Sequence, residues 1–403
     1  MLTAVQKFLA WATAFAAVFA FYAHTFFGLP SYEVTPLSAG AVAAGLMGMA
    51  YLGVLELRYQ PTRSPARQAS SFLLTLALLL AFASTVAHAF VDEVLIPSWG
   101  VAGVTFGVPI LLGLCSVRGE LLRAIGVVCV MFASVDLAFD VLDYFDVAHI
   151  AIHHGEEGSA YGLHYQGAAG SSFAVGLVAF LAISFVTSGF ATGSLLGNLA
   201  RMSIVAAFVG SVYLAGTRTY LAVSLASAAI FVVPGNRRVP LVICGAVIAA
   251  LFLYMTFNYT PGDLDNQLRS MLLLDGFEDA MRRPILGSGP AYIDSTSLIA
   301  TYQQLHTAGV VESGIAQFAI FYGLPAALAL VCSSFLAQTA QRPLQGFASV
   351  VLCLLTAISA FNVPTGSFLG SIAFYAALIY CQRDEAAEAI VVSYQPNTLK
   401  PAT

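Results

Sequence analysis

The chain has 403 residues, 59% of them hydrophobic and only 9% charged, with a net charge of −5 and a mean hydropathy of +0.84. A soluble domain carries roughly 25% charged residues, so composition excludes a soluble globular fold and points to a polytopic membrane protein. The mild acidity gives no sign of a nucleic-acid partner.

About twelve apolar stretches approach the roughly 20 residues that cross the hydrocarbon core as a helix. In chain order they cover residues 8–28, 36–57, 70–90, 99–117, 121–144, 168–188, 200–216, 218–235, 239–258, 308–335, 345–361 and 366–382. Backbone groups in lipid must be paired within a segment or around a closed barrel, and uninterrupted runs of this length predict helices, so the expected fold is all-α. The first run is longer than a secretory apolar region and has no convincing cleavage site, which makes it a retained span. One transmembrane domain, 1–383, is expected, followed by a poorly ordered cytoplasmic tail, 384–403. The six cysteines, Cys115, Cys129, Cys244, Cys332, Cys353 and Cys381, lack metal or redox spacing, and neither disulfide nor metal is assigned to them.

Basic residues set the orientation. Lys7, the group Arg58, Arg63 and Arg67, then Arg118 and Arg123, Arg201, Arg237 and Arg238, Arg342, Arg383 and Lys400 fall in alternate connections or at the termini. The bias of Lys and Arg toward the cytoplasm then puts both ends inside. Glu33, Asp92, Glu93, Glu156 and Glu157 mark the opposite connections. Arg218, Arg269, Arg282 and Arg283 fall on that outer side, against the bias, and so call for a reason.

Three groups carry chemistry-bearing residues. In the fifth span Asp136, Asp140 and Asp143 recur at i, i+4 and i+7, a stripe of carboxyls on one helix face. Ionisable groups at membrane depth face a cavity or a partner, so the stripe suits proton relay in a transporter, contact with an arginine, or binding of sugar hydroxyls. An outer connection, about 145–167, holds His149, His153, His154, Glu156, Glu157 and His164. His149 and His153 stand one helical turn apart, yet no second well-spaced ligand pair follows, and a polar loop is preferred over a zinc site. The longest outer connection, about 259–307, contains Arg269, Arg282, Arg283 and His306, with an apolar stretch at 271–277 and a Pro284-Ile285-Leu286-Gly287-Ser288-Gly289-Pro290 turn that argue for a folded lid.

The order of these pieces resembles the superfamily of O-antigen polymerases and O-antigen ligases. The short connection Gly216-Thr217-Arg218-Thr219-Tyr220 supplies an outer-edge arginine. Arg269 precedes Pro284-Ile285-Leu286-Gly287-Ser288-Gly289 by fifteen residues, and His306-Thr307 leads into a span containing Tyr322-Gly323-Leu324-Pro325. The likeness covers roughly 200–335 in motifs. Thr307 stands where many members have Asn, and Leu273 where an aromatic commonly follows the second arginine.

The resemblance implies a GT-C-like membrane glycosyltransferase without metal or other cofactor, acting at the periplasmic face of a bacterial inner membrane. Its partners would be an undecaprenyl-diphosphate-linked glycan donor, a glycan or lipid acceptor, surrounding lipids and a glycan assembly complex. Negative charge grows on the diphosphate as the anomeric bond breaks, and arginine answers this with a permanent charge and a bidentate fork. Arg218 and Arg269 are the expected catalytic cations, with Arg282 and Arg283 as further diphosphate or headgroup contacts. His306 is the expected base for the acceptor hydroxyl, with direct attack inverting the anomeric centre. Glu312 would assist it, although six residues is not a same-face spacing on a regular helix. Asp136 and Asp140 complete the expected glycan contacts. A polymerase is preferred, with ligation to lipid A core as the alternative. An ion-coupled transporter or flippase using Asp136, Asp140 and Asp143, and a non-catalytic scaffold, are the readings from other classes.

Overall fold

The computed structural model describes residues 2–23, 31–55, 65–91, 103–115, 118–145, 168–169, 171–189, 195–232, 278, 280–287, 289, 314–339, 347–358 and 368–382. Among them all regular structure is helical and no strand occurs. The helices are α1 (Leu2–Phe19), α2 (Ser31–Leu55), α3 (Pro65–Val91), α4 (Val108–Leu114), α5 (Arg118–Tyr144), α6 (Ser172–Gly189), α7 (Leu195–Leu214), α8 (Arg218–Val232), α9 (Gly314–Tyr322), α10 (Leu324–Thr339), α11 (Phe347–Ile358) and α12 (Phe368–Cys381). Stretches of α2, α3, α5 and α7, namely Leu37–Leu55, Pro65–His88, Arg118–Leu142 and Gly197–Leu214, are long and apolar enough to cross a membrane.

Side-chain placement fits a lipid environment. Large apolar groups such as Phe8, Leu37, Tyr51, Phe72, Met131 and Tyr213 point outward, whereas Ala10, Ala14, Ala17, Ala174, Ala179 and Ala182 are buried between helices. Water would oppose that distribution, but hydrocarbon does not distinguish a buried Leu from an exposed one. Association then rests on close backbone approach over small residues. Gly126 shows the closeness, since a Cβ there would overlap the Phe185 ring across the α5–α6 contact.

Two expected spans are described in part. Within 99–117 a π-helical turn, Gly103–Gly107, runs into the short α4. Pro109 in the first turn of α4 has no N–H to continue a ladder from the preceding residues, which suits it to a helix start. The stretch 308–335 is divided at Gly323 into α9 and α10. The expected span 239–258 lies outside the described residues.

Helix α6 packs against α5, α7, α8 and α11, while α3 packs chiefly against α10. Helix α12 touches α1, α4, α5, α10 and α11, and every residue from Leu369 to Ile379 is buried. An apolar helix without a polar face belongs inside a bundle. At one end of α3, Ser70 donates to the Ser333 carbonyl at 2.7 Å and Ser333 returns a bond to the Ser70 carbonyl at 2.8 Å. Gln382 donates to Ser70 Oγ at 2.9 Å, so α3, α10 and the end of α12 are joined there. Arg118, buried at the start of α5, donates Nε to Leu112 O at 2.5 Å and Nη2 to Gly113 O at 2.6 Å. It satisfies the last carbonyls of α4, which have no partner within their own helix.

Candidate functional site

At the opposite end of α3, the Pro284–Gly289 turn meets the break between α9 and α10. A divided helix leaves carbonyls and amides that lipid cannot satisfy, so such a break needs protein partners. The turn supplies them: Leu324 N donates to Pro284 O at 2.9 Å, and Gly289 N donates to Phe321 O at 3.0 Å. Gly287 N closes back on Arg283 O at 2.9 Å, and Gly323 N on Ala319 O at 2.8 Å.

Glycine is required on both sides of this seam. Gly287 and Gly323 have φ of 66° and 89°, a region that L side chains avoid. A Cβ on Gly287 would lie 2.5 Å from Ile320 O, and one on Gly323 would overlap Ile285 O. Two motifs 34 residues apart in sequence, counted from Gly289 to Gly323, therefore form one structural unit. Ala280 buries with Ala319, Ile320 and Ala327 beneath the turn, leaving Arg282 and Arg283 exposed on its outer side.

Sequence reasoning missed two residues that complete this unit. Ser84 Oγ donates to Leu286 O and, at 3.0 Å, to Phe321 O, bridging the turn and the broken helix. His88, one turn further along α3, places Nδ1 2.7 Å from Ser84 O and packs its ring against Gly289. Both sit inside an apolar run, and what they meet across the seam is more than two hundred residues away, so no local pattern marks them.

A second polar group lies at the late end of α5. Asp136 and Asp140 are each only 1% exposed. Asp136 Oδ2 accepts from Tyr22 OH at 2.5 Å and Oδ1 from Ala169 N at 3.3 Å, tying the end of α1 and the approach to α6 onto α5. Asp140 Oδ2 accepts from Ser211 Oγ at 2.6 Å. Ser211 lies in the last turn of α7, seven residues before Arg218, and its carbonyl accepts from Ala215 N at 2.9 Å. Asp140 thus holds the end of α7 that leads into the Arg218 turn. Arg218 is the first residue of α8. Beside it, Thr217 Oγ1, Tyr220 OH and Ser224 Oγ are buried with no hydrogen-bond partner among the described residues. Thr217 and Tyr220 both press against Gly176 of α6, where a Cβ would come within 2.9 Å of each.

Arg269, His306, Glu312 and residues 146–167 of the histidine loop lie outside the described residues, as does most of the connection 259–307. Among the described residues no group of three or more His, Cys, Asp or Glu is placed to hold a metal ion. No protein-family model matches the chain, and no curated protein matches it.

Proposed function

We propose that this chain is an inverting, metal-independent glycosyltransferase of the O-antigen polymerase and ligase kind. It would have about twelve spans in a GT-C-like arrangement and work at the periplasmic face of a bacterial inner membrane, with both termini cytoplasmic. The acceptor hydroxyl oxygen attacks the anomeric carbon of a glycan carried on undecaprenyl diphosphate. The bond from that carbon to the diphosphate oxygen breaks, and its electron pair leaves with the diphosphate, held by Arg218 and Arg269. The hydroxyl proton passes to His306. Arg282 and Arg283 add positive charge at the rim, and Asp136 and Asp140 organise the neighbourhood of Arg218.

The observation that carries the proposal is the seam between the Pro284–Gly289 turn and Gly323. The resemblance singles out these motifs separately, and hydrogen bonds join them at the end of α3 remote from Arg67. The Asp136 and Asp140 group supports the same polarity. It lies at the late end of α5, whose early end carries Arg118 and Arg123, and it contacts α7 far from Arg201. The seam and the carboxyl pair thus both lie at helix ends away from basic ones, which supports an outer-face site under the charge bias.

The test is incubation of the purified protein with lipid-linked repeat units. Longer chains identify a polymerase, whereas product that appears only after lipid A core is added identifies a ligase. Arg218→Ala, Arg269→Ala and His306→Ala variants should insert and fold yet stop consuming the donor. Donor consumption that persists in all three variants refutes the assignment. The buried carboxyls favour an ion-coupled transporter as the second reading: there Asp136→Asn stops movement across the bilayer and the arginines are dispensable.

A further inference from the structure

The ring of His88 is held in one tautomer. Its Nδ1 lies 2.7 Å from the Ser84 carbonyl oxygen, and a carbonyl only accepts, so Nδ1 carries the proton. With Nδ1 as the donor, Nε2 is the ring nitrogen left to accept a hydrogen bond. The ring lies close against Gly289, where a Cβ would come 2.7 Å from His88 Cγ. The side chain is partly exposed, and among the described residues Nε2 has no hydrogen-bond partner. A hydrogen-bond acceptor is thus placed at the seam that also carries the exposed Arg282 and Arg283.

We infer that His88 is a glycan-binding residue whose Nε2 accepts a hydrogen bond from a sugar hydroxyl of the acceptor. The inference rests on the transferase reading and adds to it a position the resemblance does not supply. Chemistry selects the ligand class: an ionised diphosphate has no proton to give to Nε2, whereas a sugar presents several hydroxyl donors. The role is recognition, and proton removal stays with His306.

Two measurements test the assignment. His88→Asn keeps an amide N–H in place of Nδ1–H, preserving the bond to Ser84, but removes the Nε2 acceptor. Its KM for lipid-linked acceptor should rise about tenfold with kcat within about twofold, the loss of one hydrogen bond. Loss of kcat at unchanged KM would make His88 a proton-transfer residue and overturn the recognition role. In the second measurement, diethyl pyrocarbonate modifies the wild-type protein and mass spectrometry follows the peptide bearing residue 88. Undecaprenyl-diphosphate-linked repeat units should protect His88, and undecaprenyl diphosphate alone should not. Equal protection by both, or none by either, refutes hydroxyl recognition. This readout needs no turnover: protection in a protein that elongates nothing would retire the transferase reading and keep the glycan contact, while turnover without protection would do the reverse.

Discussion

Gly323→Ala tests the seam most directly. At φ 89° an L residue is strained by about 1–2 kcal/mol, before any contact is considered. The new methyl would also overlap the Ile285 carbonyl oxygen, which belongs to backbone and has no rotamer to escape into. Relief requires the turn to move off the break, which severs Leu324 N to Pro284 O and Gly289 N to Phe321 O. Each severed hydrogen bond that leaves a buried group unpaired costs about 1–3 kcal/mol. The total is about 3–8 kcal/mol, a large fraction of the 5–15 kcal/mol that typically separates folded from unfolded protein. Buried Cys115, Cys129, Cys353 and Cys381 provide the assay, because a fluorogenic maleimide reaches them only as the detergent-solubilised protein opens on heating. Exposed Cys332 sets the baseline. Gly210→Ala is the control: it lies within α7 and a Cβ there meets nothing within 4 Å, so better helix propensity should leave its midpoint unchanged or raised. A Gly323→Ala midpoint equal to that of Gly210→Ala would show that the turn does not bear on the break.

Three further outcomes are expected in the same thiol assay. Tyr22→Phe removes a donor from buried Asp136 while Ala169 N remains, and should destabilise by about 1–3 kcal/mol. Arg118→Lys should fail to restore what Arg118→Ala loses, because a lysine cannot span Leu112 O and Gly113 O with one planar fork. A lysine variant as stable as wild type would reduce the contact to a point charge. Ser333→Ala should lower stability by only about 0.6 kcal/mol, since an interhelical hydroxyl bond in a membrane contributes little beyond what the separated helices recover.

The helices were legible because lipid imposes one rule on composition, and apolar runs such as 121–144 and 366–382 map closely onto α5 and α12. Hydropathy hid the break at Gly323 for the same reason. Hydropathy passes smoothly through Phe321, Tyr322, Leu324 and Pro325, while the reason for stopping lies in backbone donors and acceptors supplied by Pro284 and Gly289. The spacing of Asp136 and Asp140 put both on one face, but it did not name Tyr22 or Ser211 as their donors. Ser84 and His88 had no role assigned, because a hydroxyl or imidazole inside an apolar run acquires meaning only from what crosses it. Arg282 and Arg283 were found by charge asymmetry and stand exposed beside the seam.

Helix α12 emerges from the ribosome after the eleven other described helices, yet it packs among α1, α4, α5, α10 and α11 with neighbours on every side. Its predecessors must enter the bilayer around a slot they cannot fill, with lipid or the insertion machinery shielding the small-residue faces meanwhile. Closure of the bundle is thus a late event in biogenesis, and a nascent chain halted before Phe368 would present cellular quality control with an open array in which Ser70 and Ser333 still lack Gln382.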